Sequence, residues 1–266
     1  MASSDEGSWQ DLGDIVIGID LGLTYTGVAF ATRNQPRPMV IQIWPSQPCN
    51  NQWRGDNKVP TALKYIAGIS KPRAWGYQCQ EPGAPNSGEV VRHCFKLFLD
   101  KEFMEKTFRG KLQPPLFEHY DVRMWFTDFL RLLYDYITEH VCKFYKLDSW
   151  SSAIIHFVFS VPTIWESREA GRVAADEFKE IVKAAGFGFG GVGHTVEFEL
   201  TEAEAAATYT ARSPRHQRSV WVNDDDEEDK GDANSAGRLQ RGNVLLVCDS
   251  GGGTTVSDLT VSCLRD

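Results

Sequence analysis

Two short segments carry the residue types that grip phosphate. The first is Asp20-Leu21-Gly22-Leu23-Thr24-Tyr25-Thr26-Gly27, and the second is Asp249-Ser250-Gly251-Gly252-Gly253-Thr254-Thr255. Glycine lets backbone N–H groups approach an anion, threonine adds a hydroxyl donor, and an aspartate at the head of the turn would hold a divalent metal directly or through water. An Asp-x-Gly turn also closes plain hairpins. The repetition of one design in two places is what points to phosphate. A third glycine-rich stretch, Gly186-Phe187-Gly188-Phe189-Gly190-Gly191, follows a helical pattern instead of a strand and lacks the downstream acidic residue context of a dinucleotide fingerprint.

Each phosphate-type turn needs a strand to deliver it, and each has one. Ile15-Val16-Ile17 and Val244-Leu245-Leu246-Val247 are apolar, largely β-branched runs that end at the aspartates. Asp14–Asp20, Gly27–Thr32 and Met39–Trp44 read as an antiparallel meander of three strands. From Pro45 to about Gly88 the chain is rich in Pro, Gly and Asn and reads as an irregular insertion, with strand-like pieces at Thr61–Ile66 and Ala74–Gln78. Glu89–Phe108 has helical spacing through Val90, Cys94, Leu97, Phe98 and Met104. Asp121 is placed to cap a long helix running to about Lys146, with Trp125, Phe129, Leu132, Leu133, Tyr136, Ile137 and Val141 as its apolar stripe. A buried strand at Ile154–Val161, a helix at Glu166–Ala185 stopped by Gly186, a strand at Val196–Leu200 and a helix at Glu202–Tyr209 follow. Ala211–Gly242 reads as a solvated, disordered linker carrying the run Asp224–Asp229, and Asn243–Asp249 with Thr255–Cys263 forms a last strand pair. The order predicts an α/β fold, a mixed sheet flanked by helices.

Composition excludes several classes. With 36 acidic against 28 basic residues and a net charge of −8, the chain has no electrostatic footprint for nucleic acid. No apolar run is long enough to span a membrane, and the polar, acidic start up to Gly13 is neither a signal nor a transit peptide. The six cysteines are scattered without metal-ligand spacing and read as free thiols of a reducing, cytoplasmic compartment. The six histidines read as structural or surface residues.

The words and their order resemble the ribonuclease H-like lobe of the actin-like ATPases, and within them the seventy-kilodalton heat-shock chaperone family. Gly18-Ile19-Asp20-Leu21-Gly22 resembles that family's first phosphate motif and Cys248-Asp249-Ser250-Gly251-Gly252-Gly253-Thr254 its second. Phe159-Ser160-Val161-Pro162-Thr163-Ile164-Trp165 is similar to its strand-to-helix segment, and Leu200-Thr201-Glu202-Ala203-Glu204-Ala205-Ala206-Ala207 to its connecting element. Phe95–Asp100 and Trp165 lean toward the divergent relatives. The resemblance implies that the two turns face each other and grip Mg-ATP, with Asp20 and Asp249 around Mg2+. It places Gly22, Thr24 and Tyr25 on one side of the phosphates and Gly251, Gly252, Gly253 and Thr254 on the other. Glu202 would orient the attacking water, the alternative being a helix N-terminal carboxylate favoured by the dipole. Lys96 would neutralise transition-state charge. The implied function is ATP binding, with hydrolysis coupled to the folding of unfolded client proteins.

In domain terms the expectation is a disordered start at 1–13, an ATPase lobe at 14–210 with an insertion at about 45–120, a linker at 211–242 and the first hairpin of an incomplete second lobe at 243–266. Three departures temper the activity. Leu23 stands where a hydroxyl residue is expected, Asp258 comes two positions late after the second turn, and the chain stops at Asp266, before the adenosine pocket. They leave open a weakened ATPase, a non-catalytic protein-interaction module, and a fragment of a longer protein.

Overall fold

The computed structural model of the protein describes residues 14–48, 57–81, 88–109, 117–162, 165, 169–212, 245–250 and 255–260. It is a mixed α/β structure with four α-helices among those residues, and the chain divides into two compact units, Met1–Glu199 and Leu200–Asp266.

The first unit grows from β1 (Ile15–Leu21), where Ile15, Ile17, Ile19 and Leu21 are buried while Val16 is exposed, the period-two alternation of a strand covered on one face. Strand β2 (Tyr25–Thr32) pairs antiparallel with β1 from Leu21↔Thr26 to Ile15↔Thr32. The outer edge of β2 is shared by β3 (Met39–Val40) at one end and β4 (Lys58–Pro60) at the other. On the far side of β1, β8 (Ile155–Val161) runs parallel in the register Ile15↔Ile155 to Ile19↔Phe159, and β9 (His194–Thr201) completes the order β3-β2-β1-β8-β9.

Helix α2 (His119–Tyr145) and helix α3 (Glu169–Ala184) lie on the same sheet face. Phe178 of α3 packs edge-on against both Phe126 of α2 and Phe159 of β8, with ring centroids 6.2 and 5.7 Å apart. Phe159 also meets Phe187 at 5.0 Å and stacks with Phe198 of β9 at 5.8 Å. Each such fully buried ring contributes about 1.5–3 kcal/mol of transfer free energy, so this face holds the core. Helix α3 closes with a Schellman pairing, Gly186 N–H to the Lys183 carbonyl at 2.9 Å and Phe187 N–H to the Val182 carbonyl at 3.3 Å.

Four sequence expectations change. The stretch read as irregular is organised: β5 (Ala62–Ile66) is the centre of a three-stranded antiparallel sheet, between β6 (Ala74–Trp75) and β7 (Glu89–His93). The helix expected from Glu89 begins only at Lys101. Val90 and Val91 pair across to Tyr65 and Lys64, Cys94 turns the chain with φ 55°, Phe95–Leu99 forms a 3₁₀ turn, and the Asp100 carboxylate accepts the Phe103 N–H at 3.0 Å to start α1 (Lys101–Phe108). Asp121 does cap α2, but from inside: Glu118 is the N-cap residue, and its N–H donates to Asp121 Oδ2 at 2.8 Å. Strand β3 is shorter than expected because the chain leaves the sheet edge after Ile41 to bury Trp44 against Tyr136 and Trp75.

In the second unit, α4 (Glu202–Arg212) is followed by the antiparallel hairpin of β10 (Leu245–Ser250) and β11 (Thr255–Thr260). Ala211 and Arg212, expected in the linker, still belong to α4; the rest of the expected linker and the expected disordered start at 1–13 lie outside the described residues.

Candidate functional site

The carboxyl ends of parallel strands are where open α/β sheets bind ligands, and β1 and β8 end side by side. At that edge β1 delivers Asp20, and the chain must reverse between Leu21 and Thr26 to begin β2. Gly22 makes the reversal possible: a Cβ there would lie 2.3 Å from the Tyr25 carbonyl oxygen, so no other residue fits this turn.

The turn's carbonyl oxygens are tied back into the protein. The Lys96 ammonium, on a buried side chain, donates to the Leu21 carbonyl at 2.6 Å. The Thr61 hydroxyl donates to the Gly22 carbonyl at 3.0 Å and lies 2.9 Å from the buried Thr26 hydroxyl, while the Thr61 N–H donates to the Thr24 carbonyl at 2.8 Å. Because a trans peptide points its C=O and N–H in opposite directions, holding the Gly22 and Thr24 carbonyls on Thr61 turns the Leu23 and Tyr25 N–H groups away from it. Carbonyls withdrawn in this way remove a source of repulsion for a phosphate oxygen at the turn. Of the expected phosphate residues, Gly22, Thr24 and Tyr25 are in this turn, and Lys96 joins them from 75 residues away in sequence.

Asp20 has a partner that the sequence did not suggest. Lys58 of β4 donates to Asp20 Oδ2 at 2.6 Å, both side chains being about half exposed. An exposed pair of this kind is worth about 0.2–1 kcal/mol. Together Asp20, Lys58 and Lys96 carry one net positive charge, which suits an anion. A divalent ion at Asp20 fits less well, since its carboxylate already holds an ammonium, and no group of three or more His, Cys, Asp or Glu side chains among the described residues is placed to bind a metal.

Sequence reasoning missed Lys58 and Thr61 as site residues because both fall in the stretch read as an irregular insertion; the only local signal was the strand-like piece beginning at Thr61. It also passed over Ser160. One position past the Ile19↔Phe159 pair, Ser160 stands beside Asp20 at the end of β8, 8% exposed, with its hydroxyl buried and without a hydrogen-bond partner among the described residues.

The other expected residues belong to the second unit. On its hairpin Asp249 pairs with Val256 and Asp258 with Val247. Gly251, Gly252, Gly253 and Thr254 lie outside the described residues. Glu202 is the first residue of α4, where the helix dipole favours a carboxylate. The cap itself is made by its neighbours: Thr201 N–H and Oγ1 both lie 2.9 Å from Glu204 Oε2, and the Glu204 N–H donates to Thr201 Oγ1 at 3.1 Å.

Two surface grooves of about 300 and 290 Å3 lie along α1, and neither is lined by a residue of the turn. No helix among the described residues is long and apolar enough to cross a membrane. Neither a protein-family model nor a curated protein matches the chain.

Proposed function

We propose that this chain is a divergent relative of the heat-shock branch of the actin-like ATPases, built on a ribonuclease H-like lobe, and that it binds ATP through the Asp20–Tyr25 turn. The observation that carries this reading is the construction of that turn, a sterically obligatory glycine whose flanking carbonyls are withdrawn by Lys96 and Thr61 at the carboxyl end of the central parallel pair. The strand order and the placement of α2 and α3 on one sheet face accord with the lobe that the sequence resembles. Free thiols at Cys79, Cys94 and Cys142 accord with a cytoplasmic location.

In this reading Lys96 stands near the polyphosphate and offsets its charge, and Gly22, Thr24 and Tyr25 line it; the second phosphate motif, Asp249 with Gly251, Gly252, Gly253 and Thr254, is assigned by the sequence resemblance alone. Phosphoryl transfer to water asks the protein for positioning and fixed charge, and Glu202 is the carboxylate assigned to the water. The coupled role would be assistance to unfolded client proteins. Leu23 in the turn and the ammonium on Asp20 favour a second reading, a nucleotide-binding interaction module with little turnover. Titration calorimetry of the full chain with ATP, in magnesium and in EDTA, tests the binding, and a phosphate-release assay separates the two readings. Binding that Gly22→Ala abolishes is expected. A wild-type chain that gives no heat and no thermal shift with ATP in either buffer overturns the proposal.

A further inference from the structure

Lys58 reaches Asp20 along a row prepared for it. The register places Asp20 opposite Gly27 and Gly27 opposite Lys58, so the three residues lie in line across β1, β2 and β4 on one sheet face. The middle position has no side chain, and the lysine stem fills the space: a Cβ on Gly27 would meet Lys58 Cγ at 3.3 Å, Cε at 3.4 Å and Cδ at 3.7 Å. The ammonium then arrives 2.6 Å from Asp20 Oδ2. A methylene chain laid over a glycine and ending on a carboxylate two strands away is a directed contact.

We infer that Lys58 is the resident cation of this turn, so that the first phosphate grip engages a polyphosphate through an ammonium and does not require a divalent metal at Asp20. The inference rests on the ATP reading and departs from what the resemblance implies for Asp20. Its physical basis is the charge at the site. The carboxylate that would face the metal is already neutralised, and the same half-exposed ammonium has hydrogens left to donate to a phosphate oxygen beside it. Lys96 is buried and committed to the Leu21 carbonyl, which leaves Lys58 as the cation of the turn that can shift toward a ligand. Asp20 thereby serves to position a lysine. Removing Lys58 returns its carboxylate to the site, where it repels phosphate unless a divalent cation comes between them.

The experiment uses the full chain and two probes, ATP and inorganic tripolyphosphate, each titrated calorimetrically in EDTA and in magnesium. Wild type is expected to bind ATP in EDTA within about threefold of its affinity in magnesium, well inside the tenfold that corresponds to one charge-assisted hydrogen bond. Lys58→Met is expected to lose about tenfold to a hundredfold in EDTA and to recover most of it in magnesium. Gly27→Ala keeps the charge but displaces the lysine stem, and is expected to weaken EDTA binding in the same direction; thermal melts of both variants confirm that the fold is retained. Tripolyphosphate should follow the same pattern, since the cation serves phosphate and not the base. Wild-type binding that appears only in magnesium, or a Lys58→Met chain that binds in EDTA as wild type does, overturns the inference and leaves the ATP reading standing. Absence of ATP binding in both buffers removes the ATP reading itself and the inference with it.

Discussion

Gly18 and Gly22 flank Asp20 in one motif, and their substitution by alanine is expected to have opposite consequences. At Gly22 the new Cβ would stand 2.3 Å from the Tyr25 carbonyl oxygen, against a floor near 3.0 Å for such contacts, and the obstructing atom is backbone. The turn must open by about 0.7 Å. That displacement takes the Thr61 Oγ1 to Gly22 carbonyl bond, now 3.0 Å, beyond hydrogen-bonding range and strains the 2.8 Å bond from Thr61 N–H to the Thr24 carbonyl. One or two lost bonds at about 1 kcal/mol each, with a similar cost for overpacking, give a loss of about 2–3 kcal/mol. A unit of this size loses about 2–4 °C of Tm per kcal/mol, so Gly22→Ala should lower Tm by roughly 4–12 °C. At Gly18 the nearest atom to an added Cβ is the Ala29 carbonyl oxygen at 3.9 Å, an ordinary contact. Alanine is also favoured over glycine within a strand by about 0.5–1 kcal/mol, so Gly18→Ala should leave Tm unchanged or slightly raised. Thermal melts of the two variants, with urea midpoints as a second measure, decide the matter. Equal losses in both would refute the steric account of this turn.

Removing one member of the buried Thr26–Thr61 hydroxyl pair strands the other, so Thr61→Val should cost about 1–3 kcal/mol, and the Thr26→Val/Thr61→Val double variant less than the two singles combined; a double-mutant cycle in urea measures this. Thr201→Ala removes the N-cap of α4 and should destabilise that helix by about 0.5–2 kcal/mol, seen as faster amide exchange at Glu204. Burial holds the His194 imidazole below its ordinary pKa, with the hydrogen bond to the Trp150 carbonyl acting in the opposite direction. The folded state then binds fewer protons than the unfolded chain, so the contribution of His194 is intact above about pH 6.5 and is lost on acidification through the histidine range, by at most about 1.4 kcal/mol per pH unit. Urea midpoints at pH 7.5, 6.5 and 5.5 should show this slope, and His194→Gln should flatten it. Burial pushes the Cys79 thiol up to about 11, and a disulfide reagent at neutral pH should label it only after unfolding.

What could be read from the chain was whatever burial writes locally. The alternation Ile15, Ile17, Ile19, the helical stripe from Trp125 to Val141 and the apolar strand before Pro162 each record one covered face at a fixed period, and each forms close to its expected place. The Glu89–Phe108 reading failed because its spacing was compatible with a helix while the β-branched Val90 and Val91 had strand partners in Tyr65 and Lys64, more than 20 residues earlier. Asp20, Gly22, Thr24 and Tyr25 were legible as a tight turn at a strand end. Which of its glycines is obligatory was not, because Gly18 and Gly22 differ only in what stands opposite a missing Cβ.

By itself the sequence determined the strands and helices with one buried face, the punctuation at Pro162 and Gly186, and the residue types at the head of the turn, all set by interactions within a few residues. Tertiary structure alone decided that Lys58, Thr61 and Lys96, between 35 and 75 residues from their partners, converge on that turn. The reason is physical: polar side chains leave no periodic mark, and their partners are chosen by strand register, which a chain acquires only when its edges pair.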